Sequence, residues 1–196
     1  MIPQDNERRA QLFRAAGPIF DRFGYRKTTI EEICREAGMS KRTFYEEFRD
    51  KSEFFGNMVL FVAMEWTREW YEATETVPSA ASRIEALIDM YIATCHASPL
   101  FQVIFENDES LAAVSDAFDG PNTRPLHAAL VPTLEMGMAN GEFRQIDVDK
   151  TPLIISTMLD SMFCILPQLF RKFPLEQDER FLAELKTFII HGLLAR

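Results

Sequence analysis

Four side chains that can donate hydrogen bonds to nucleic acid lie close together in the segment SKRTFYEEF. They are Lys41, Arg42, Thr43 and Tyr45. Arg and Lys can donate to guanine O6 and N7, and Thr can hydrogen-bond a base or contact the thymine methyl group. Tyr45 follows Lys41 by one helical turn, on the same side of a helix, where its hydroxyl can reach a phosphate. These residue types at this spacing predict a surface that binds double-stranded DNA.

A plainer interpretation fits the same residues. Lys41 and Arg42 can belong to the solvated face of a short helix, and Tyr45 can be a half-buried packing residue. Glu46 and Glu47 also bring negative charge close to the predicted DNA surface. On one helix face Glu47 can pair with Lys51. DNA binding is favoured because several local helix signals around these residues agree with one another.

Two short helices joined by a turn are predicted to position these donors. Thr28 can cap the first helix together with Glu31, a capping box. Gly38 ends that helix, and Ser40 opens the second. The apolar face of the first helix has helical spacing, with Ile30, Ile33, Cys34 and Ala37. Such a pair is a helix-turn-helix, whose second helix enters the major groove with its N-terminal residues nearest the bases.

Further helices are predicted on both sides of this pair. The preceding helix carries the apolar stripe Leu12, Phe13, Ala16, Ile19, Phe20 and Phe23. Pro18 predicts a kink or a restart within it, and Gly24 ends it. Asp50 caps a long fourth helix that reaches Glu75. Donors at helix starts, namely Thr28, Thr29 and Lys51, are predicted to suit phosphate oxygens.

The motifs Thr-Thr-Ile, Ala-Gly-Met-Ser and Thr-Phe-Tyr occur in TTIEEICREAGMSKRTFYEEFRDKSEFF, which RAAGPIFDRFGY precedes. With these motifs, residues 8–55 resemble the DNA-binding domain of TetR-family transcriptional regulators. The resemblance implies DNA contacts from Thr28, Thr29, Lys41, Arg42, Thr43, Tyr45 and Lys51. It also implies a helix-turn-helix DNA-binding domain at 1–52 and a ligand-binding and dimerisation domain at 53–196. The chain departs from the family at Glu47, where many members have His, and at Pro18.

The rest of the chain keeps helical apolar spacing and shows no alternating β pattern. Ser98–Pro99 and Thr151–Pro152 are typical helix starts. DGPNTRP, at 119–125, predicts a loop, with a helix following it as far as Gly141. Asp178 can cap a last helix through Leu194. We therefore predict an all-α protein, in which a three-helix N-terminal domain precedes a larger C-terminal helical bundle.

An effector pocket in that larger part is predicted from its aromatic and Met residues. The chain has 17 Phe, 9 Met and 2 Trp, and Met adapts to varied apolar ligands. The alternative is that these residues are ordinary core. The candidates are Phe61, Met64, Met90, Tyr91, Thr94, Phe101, Phe105, Met136, Met158 and Met162. We expect a small, mostly apolar effector whose identity the sequence does not give.

A homodimer is predicted from two apolar helices near the C-terminus, because a twofold pair of recognition helices reads two half-sites. One helix carries Leu153, Ile154, Met158, Met162, Ile165 and Leu169, and the other carries Phe181, Leu185, Phe188, Ile189 and Leu193. Some of these residues must be intramolecular core. The expected partners are a pseudo-palindromic operator in double-stranded DNA, a small-molecule effector and a second copy of the chain.

Charge and composition indicate where a DNA-binding surface lies and which classes of protein are excluded. The net charge is -9, yet residues 1–55 hold 11 Lys and Arg against 10 Asp and Glu, leaving 10 against 20 for the rest. A phosphate-binding surface is therefore expected near the N-terminus. The three Cys are widely spaced, which favours a reducing cytoplasm over a disulfide scaffold. We find no apolar run long enough to span a membrane and no secretory signal.

No catalytic motif or metal-ligand spacing stands out. The glycines form neither a phosphate loop nor a dinucleotide fingerprint, and His96, His127 and His191 lie far apart in sequence. We therefore expect no enzyme activity, metal or cofactor. The predicted function is a cytoplasmic, ligand-responsive transcriptional repressor. The alternative is an α-helical sensor or partner-binding protein without DNA binding, which Glu46 and Glu47 favour.

Overall fold

The computed structural model describes residues 7–97, 100–105, 107–117, 124–166 and 178–195. In these ranges the chain is helical and forms no strand; an isolated antiparallel bridge joins Phe143 to Leu194. The helices are α1 (Glu7–Lys27), α2 (Ile30–Glu36), α3 (Lys41–Glu47), α4 (Lys51–Thr74), α5 (Ala80–Ala97), α6 (Leu100–Ile104), α7 (Asp108–Ala117), α8 (Pro125–Ala139), α9 (Thr151–Asp160) and α10 (Glu179–Leu193). A π-helical turn, Ser161–Ile165, continues α9. The all-α prediction is confirmed.

The chain packs as two compact units. The first comprises Met1–Ala63 and Ser98–Asp119, and the second comprises Met64–Ala97 and Gly120–Arg196. Helix α4 contributes residues to both units. The assignment of residues 1–52 to DNA binding and 53–196 to effector binding and dimerisation remains a prediction.

The first unit has an aromatic core. The rings of Phe13, Phe44 and Phe48 each lie between 5.0 and 5.4 Å from the ring of Phe54, measured between centroids. All four side chains are buried. Aromatic contacts at such distances add to the burial of apolar area. This core fixes α3, which is too short to be stable alone, against α1 and α4.

One predicted helix start in this unit is wrong. Thr29 caps α2, not Thr28: its hydroxyl accepts from the N–H of Glu32, and the Glu32 carboxylate accepts from the N–H of Thr29. At Pro18, where a kink or a restart is predicted, α1 does not restart. The interruption lies at Gly24, with φ 74° and ψ 175°, which a glycine adopts readily.

The turn between α2 and α3 is closed by backbone hydrogen bonds. Gly38 has φ 64°, its N–H donates to Arg35 O, and the N–H of Met39 donates to Cys34 O. This is a Schellman motif, which needs a residue in the left-handed region after the helix. Ser40 then begins α3, because its hydroxyl accepts from the N–H of Thr43 at 3.1 Å. The predicted stop at Gly38 and start at Ser40 are confirmed.

The second unit has its own buried core, with Trp70, Leu87, Leu130, Leu159 and Phe163 among its members. Its helix α5 begins against a carboxylate from a distant loop. Glu142 accepts from the hydroxyl of Ser79 at 2.6 Å and from the N–H groups of Ala80 and Ala81 at 2.7 and 2.9 Å. The carboxylate therefore satisfies donors that a helix start leaves unpaired.

Other predicted boundaries have mixed outcomes. Helix α9 begins at Thr151 and Asp178 caps α10, as predicted. Ser98 and Pro99 lie outside the described residues, as do 118–123, which include most of the predicted loop at 119–125. The helix that follows that loop ends at Ala139, two residues before the predicted Gly141.

Candidate DNA interface and effector residues

Helix α3 separates the residues that hold it in place from those it presents to solvent. Phe44 is fully buried and Phe48 nearly so. Lys41, Arg42 and Tyr45 are exposed. An exposed Tyr beside two cations is an arrangement that suits a nucleic acid, since the hydroxyl and both charged groups can donate to phosphates and base edges.

Lys41 forms an ion pair across the turn between α2 and α3. Its Nζ donates to Glu31 Oε2 at 2.6 Å, and both side chains are largely exposed. The hydrogen bond and the charge of Lys41 hold the pKa of Glu31 below its ordinary value, and Glu31 raises the pKa of Lys41. The ammonium of Lys41 therefore stays protonated at neutral pH.

Arg42 forms a second ion pair within α3. Its Nε donates to Glu46 Oε1 at 3.0 Å, with 89% of the Arg42 side chain exposed. Thr43 is half-buried, and its hydroxyl lies 2.9 Å from the hydroxyl of Ser40. Thus Lys41, Arg42 and Tyr45 form the accessible part of the predicted surface, and Thr43 contributes to the start of the helix.

Thr28 and Thr29 have different environments. Thr28 is 1% exposed and its hydroxyl donates to Gly24 O at 2.8 Å. Thr29 is exposed, and its hydroxyl and N–H both donate to Glu32 Oε2, at 2.7 and 2.9 Å. Both hydroxyls thus have acceptors within the first unit. A phosphate contact by either residue remains a prediction, and Thr29 is the accessible one.

Lys51 has an internal role. Its Nζ donates to the carbonyl oxygens of Tyr25 and Thr28 at 3.0 and 3.2 Å and lies 4.4 Å from the centre of the Tyr25 ring. Burial lowers the pKa of Lys51. The ammonium therefore satisfies carbonyls at the end of α1. Its predicted phosphate contact remains untested, and these bonds would compete with it.

Glu47 pairs with Arg9. The Nε of Arg9 lies 3.9 Å from Glu47 Oε2, and the Arg9 guanidinium lies 4.4 Å from the centre of the Phe48 ring. Only 16% of the Glu47 side chain is exposed. This carboxylate thus links α3 to α1, so its charge is partly neutralised and turned away from the exposed face of α3.

The predicted effector residues divide between the two units. Phe61 and Phe105 are half-buried against the aromatic core of the first unit. Tyr91 is buried in the second unit's core. Four partly buried Met residues pack against that core, namely Met90, Met136, Met158 and Met162. Met64 and Thr94 are half-buried in the second unit. The side chain of Phe101 lies outside the described part of the structure.

Polar side chains, of which Asp160 and Arg124 are half-buried, lie against the aromatic core of the second unit. The hydroxyl of Tyr91 donates to Asp160 Oδ1 at 2.6 Å, and the Arg124 guanidinium binds the other oxygen of the same carboxylate. Beside them, Trp66 Nε1 donates to the hydroxyl of Thr94 at 2.8 Å, and the Trp66 and Tyr91 rings meet edge to face. Effector sites combine a mostly apolar lining with a few such polar groups.

Sequence reasoning missed Asp160 and Arg124. They are separated by 36 residues, and only the packing of the bundle brings them together. The π-helical turn that follows Asp160 also has no sequence signature, although such turns are frequent at functional sites. One signal was available, because Asp160 lies in an apolar helical segment and a carboxylate needs a partner when it is buried.

Within the described ranges, none of the helices combines the length and the apolar character that a membrane span requires. No three His, Cys, Asp or Glu side chains in the same ranges lie close enough together to bind a metal ion.

Known proteins and a family that match this chain in sequence are described as regulators. Residues 12–58 match the model of the family described as bacterial regulatory proteins, tetR family. The transcriptional repressor KstR2 of Mycobacterium tuberculosis is 28% identical over 152 residues, which cover 74% of each chain. The transcriptional activator FasR of Mycolicibacterium smegmatis is 31% identical over 108 residues, 55% of this chain and 49% of that protein. The match thus spans about half of FasR.

A solved structure extends the likeness in fold to nearly the whole chain. The regulator FadR of Bacillus subtilis, in complex with stearoyl-CoA, superposes with a TM-score of 0.68. It covers 95% of this chain and 97% of that chain at 16% sequence identity. At that identity the likeness supports the fold: an N-terminal helix-turn-helix followed by a helical bundle.

Proposed function

Because the chain belongs to the TetR family of bacterial transcriptional regulators, we propose that it is a repressor, released from its operator by a small, mostly apolar effector. The observation that carries the DNA-binding part is the pair of exposed cations, Lys41 and Arg42, at the start of α3 beside Tyr45. Their helix is held rigidly by Phe44 and Phe48. The chain acts in the cytoplasm, where it has access to DNA.

Repression is favoured over activation because the chain matches a larger share of a repressor than of an activator. The match to the repressor KstR2 spans 74% of both chains, whereas the match to the activator FasR spans 49% of that protein. On this proposal the regulator occupies its operator without effector and leaves it when the effector binds. The two states must differ in effector affinity, and a coupling of about 1–3 kcal/mol is typical.

A homodimer is supported by exposed apolar side chains in the second unit. Ile154 on α9, Ile165 in the π-helical turn and Phe188 on α10 are 59%, 37% and 71% exposed. Their neighbours Leu185 and Ile189 are buried in the unit's own core, so the predicted apolar stripes are divided between core and surface. Leu169 lies outside the described residues. In the proposed dimer a twofold copy covers these side chains and sets two α3 helices on half-sites about 34–36 Å apart, or a multiple of that distance.

The effector site is proposed to include Tyr91, Asp160 and Arg124. The stearoyl-CoA bound to FadR and the Met-rich surroundings favour an apolar chain with one polar end. In that arrangement the polar end takes hydrogen bonds from the Tyr91 hydroxyl or the Arg124 guanidinium. Met90, Met158 and Met162, which pack against this core, adapt to the apolar chain.

The DNA-binding part is tested by selecting bound sequences from random duplexes with the purified protein. We expect a palindromic site, and affinity that falls linearly with salt on a log–log plot, since phosphate contacts release counterions. Replacing Arg42 by Ala should cost about 1–3 kcal/mol on the selected site and relax its sequence preference. Binding that ignores both sequence and salt would support the alternative of a sensor without DNA binding.

The effector part is tested on the same selected duplex. Acyl-CoAs and free fatty acids of graded chain length are added, and operator release is followed by fluorescence anisotropy. We expect release to depend on chain length, and Tyr91→Phe to require more ligand, because the variant keeps the ring and loses the hydroxyl. Equal release by all chain lengths, or none, would reject an apolar chain as effector.

A further inference from the structure

The charges on α3 are arranged against the helix dipole. The positive end of a helix dipole is at the N-terminus and favours acidic residues there. Helix α2 follows this rule, with Glu31 and Glu32 in its first turn and Arg35 in its last. Helix α3 reverses it, because it begins with Lys41 and Arg42 and ends with two Glu residues. Helix stability therefore does not explain the charges on α3.

Each of these two cations has a carboxylate within hydrogen-bond distance. Glu31 Oε2 lies 2.6 Å from the Lys41 Nζ, and Glu46 Oε1 lies 3.0 Å from the Arg42 Nε. Both pairs are exposed, and exposed pairs contribute little to folding. The ion pairs instead affect DNA binding, because an incoming phosphate must compete with the carboxylate that already binds the cation.

We propose that Glu46, together with Glu31, determines DNA specificity by competing with phosphates for Arg42 and Lys41. The inference rests on the proposed DNA-binding function. On a non-operator duplex each cation contacts phosphates only. When the cation binds a phosphate there, the phosphate replaces the carboxylate as its partner. The displaced carboxylate stays near the duplex and repels the DNA. Both effects lower non-specific affinity.

The same pairs are compatible with reading a base. Glu46 holds the Arg42 guanidinium at Nε, so both Nη groups can still donate to guanine O6 and N7. The bond also fixes the plane of the guanidinium, which a bidentate contact needs. Lys41 has three donor hydrogens, and one can remain with Glu31 while another reaches a base. Operator affinity is therefore less affected by the carboxylates than non-specific affinity is.

The test compares Glu46→Gln and Glu31→Gln with the wild-type chain on two duplexes, the selected operator and a scrambled duplex of equal length. Affinities are measured by fluorescence anisotropy between low and moderate salt. For each variant we expect roughly fivefold tighter binding to the scrambled duplex near 0.1 M salt. The log–log slope should be steeper by about 0.9, because a cation without a carboxylate partner releases one more counterion when it neutralises a phosphate. Operator affinity should change less than twofold, so the specificity ratio falls.

A matched control is available on α4. Glu72 pairs with Arg68 through the same one-turn spacing, at 3.3 Å, and Glu72→Gln removes one negative charge that belongs to neither α2 nor α3. We expect this variant to behave like the wild type on both duplexes. Equal tightening on both duplexes by Glu46→Gln, no tightening at all, or the same effect from Glu72→Gln would overturn the inference. A wild-type chain with no salt-dependent binding to any duplex would instead overturn the proposed function, and this inference with it.

Discussion

The ammonium of Lys51 is bound to the carbonyl oxygen of Tyr25, 3.0 Å away, and lies over the ring of the same residue. The start of α4 is thereby fixed to the end of α1 in the first unit. The carbonyls of Tyr25 and Thr28 lie just after Gly24, where the backbone of α1 is non-helical, and both accept from the ammonium.

We predict that Lys51→Met lowers the free energy of unfolding by about 1–3 kcal/mol, because the carbonyls lose a charged donor while remaining partly buried. Urea denaturation followed by circular dichroism measures this. Lys27→Met is the matched control, since Lys27 is an exposed residue at the end of α1, and it should change stability by less than about 0.5 kcal/mol. Equal effects of the two substitutions would show that the Lys51 bonds contribute nothing.

Gly56 provides a second prediction, on packing within the first unit. A Cβ at this position would lie 2.1 Å from the carbonyl oxygen of Ala113 on α7 and 3.0 Å from the Ala117 Cβ. Gly56→Ala should therefore destabilise the protein by about 1–3 kcal/mol through overpacking. Thermal denaturation would reveal this as a lower melting temperature.

Gly17 is the matched control for that experiment. It lies within α1, and a Cβ there would meet nothing within 4 Å. Gly17→Ala should stabilise the chain by about 0.5–1 kcal/mol, because Gly costs more conformational entropy than Ala in a helix. If Gly56→Ala also stabilised the protein, the close approach of α4 and α7 would be refuted.

The Glu142 carboxylate predicts a pH dependence of stability. Burial alone would raise its pKa, but hydrogen bonds from the Ser79 hydroxyl and the N–H groups of Ala81 and Ala80 outweigh burial and hold the pKa below the ordinary value of 4.5. A carboxyl whose pKa is lower in the folded state stabilises the fold above its unfolded pKa, and this contribution is lost as the pH falls through the folded pKa.

Replacing Glu142 by Gln should therefore lower stability at pH 7 and leave it closer to wild type at a pH well below 4.5. We expect a loss of about 1–2 kcal/mol at pH 7, since the neutral amide accepts more weakly than the carboxylate. Urea unfolding at the two pH values measures the difference. A deficit that stays the same size at acid pH would contradict the proposed linkage.

Phe188 tests the proposed dimer surface. Its side chain is 71% exposed on α10, so Phe188→Ser should leave folding nearly unchanged and weaken self-association. Sedimentation equilibrium should then show a shift toward monomer at micromolar concentration, with lower operator affinity. Leu111→Ser, at an exposed apolar residue of α7 in the first unit, is the matched control and should leave self-association unchanged. A wild-type chain that is monomeric at all concentrations would remove the basis for this prediction.

Local signals predicted the helix starts and stops of the first unit well, because these depend on residues adjacent in sequence. Gly38 and Ser40 act as expected. The one-residue error at α2 arose because Thr28 and Thr29 each precede a Glu by three residues, so either can form a capping box. Burial decides between them: the Thr28 side chain is buried and bonded to Gly24, which leaves the capping role to Thr29.

The candidate sites were less predictable, because they depend on residues distant in sequence. The charge and exposure of Lys41 and Arg42 follow from a local pattern, but the pairing of Lys41 with Glu31 depends on the turn that brings two helices together. The position of Lys51 against the end of α1 depends on carbonyls that lie 23 and 26 residues away in sequence. Asp160 and Arg124 meet only through the packing of the second unit, which no local spacing encodes.

The two faces of α3 have consequences for how such a regulator can change over time. Its inward residues, Phe44 and Phe48, hold the helix in the aromatic core, while Lys41 and Arg42 are exposed and are not needed for that packing. The outward positions can therefore be exchanged with little effect on folding. A duplicate of this chain could acquire a new target site through a few substitutions there, while inheriting an intact scaffold.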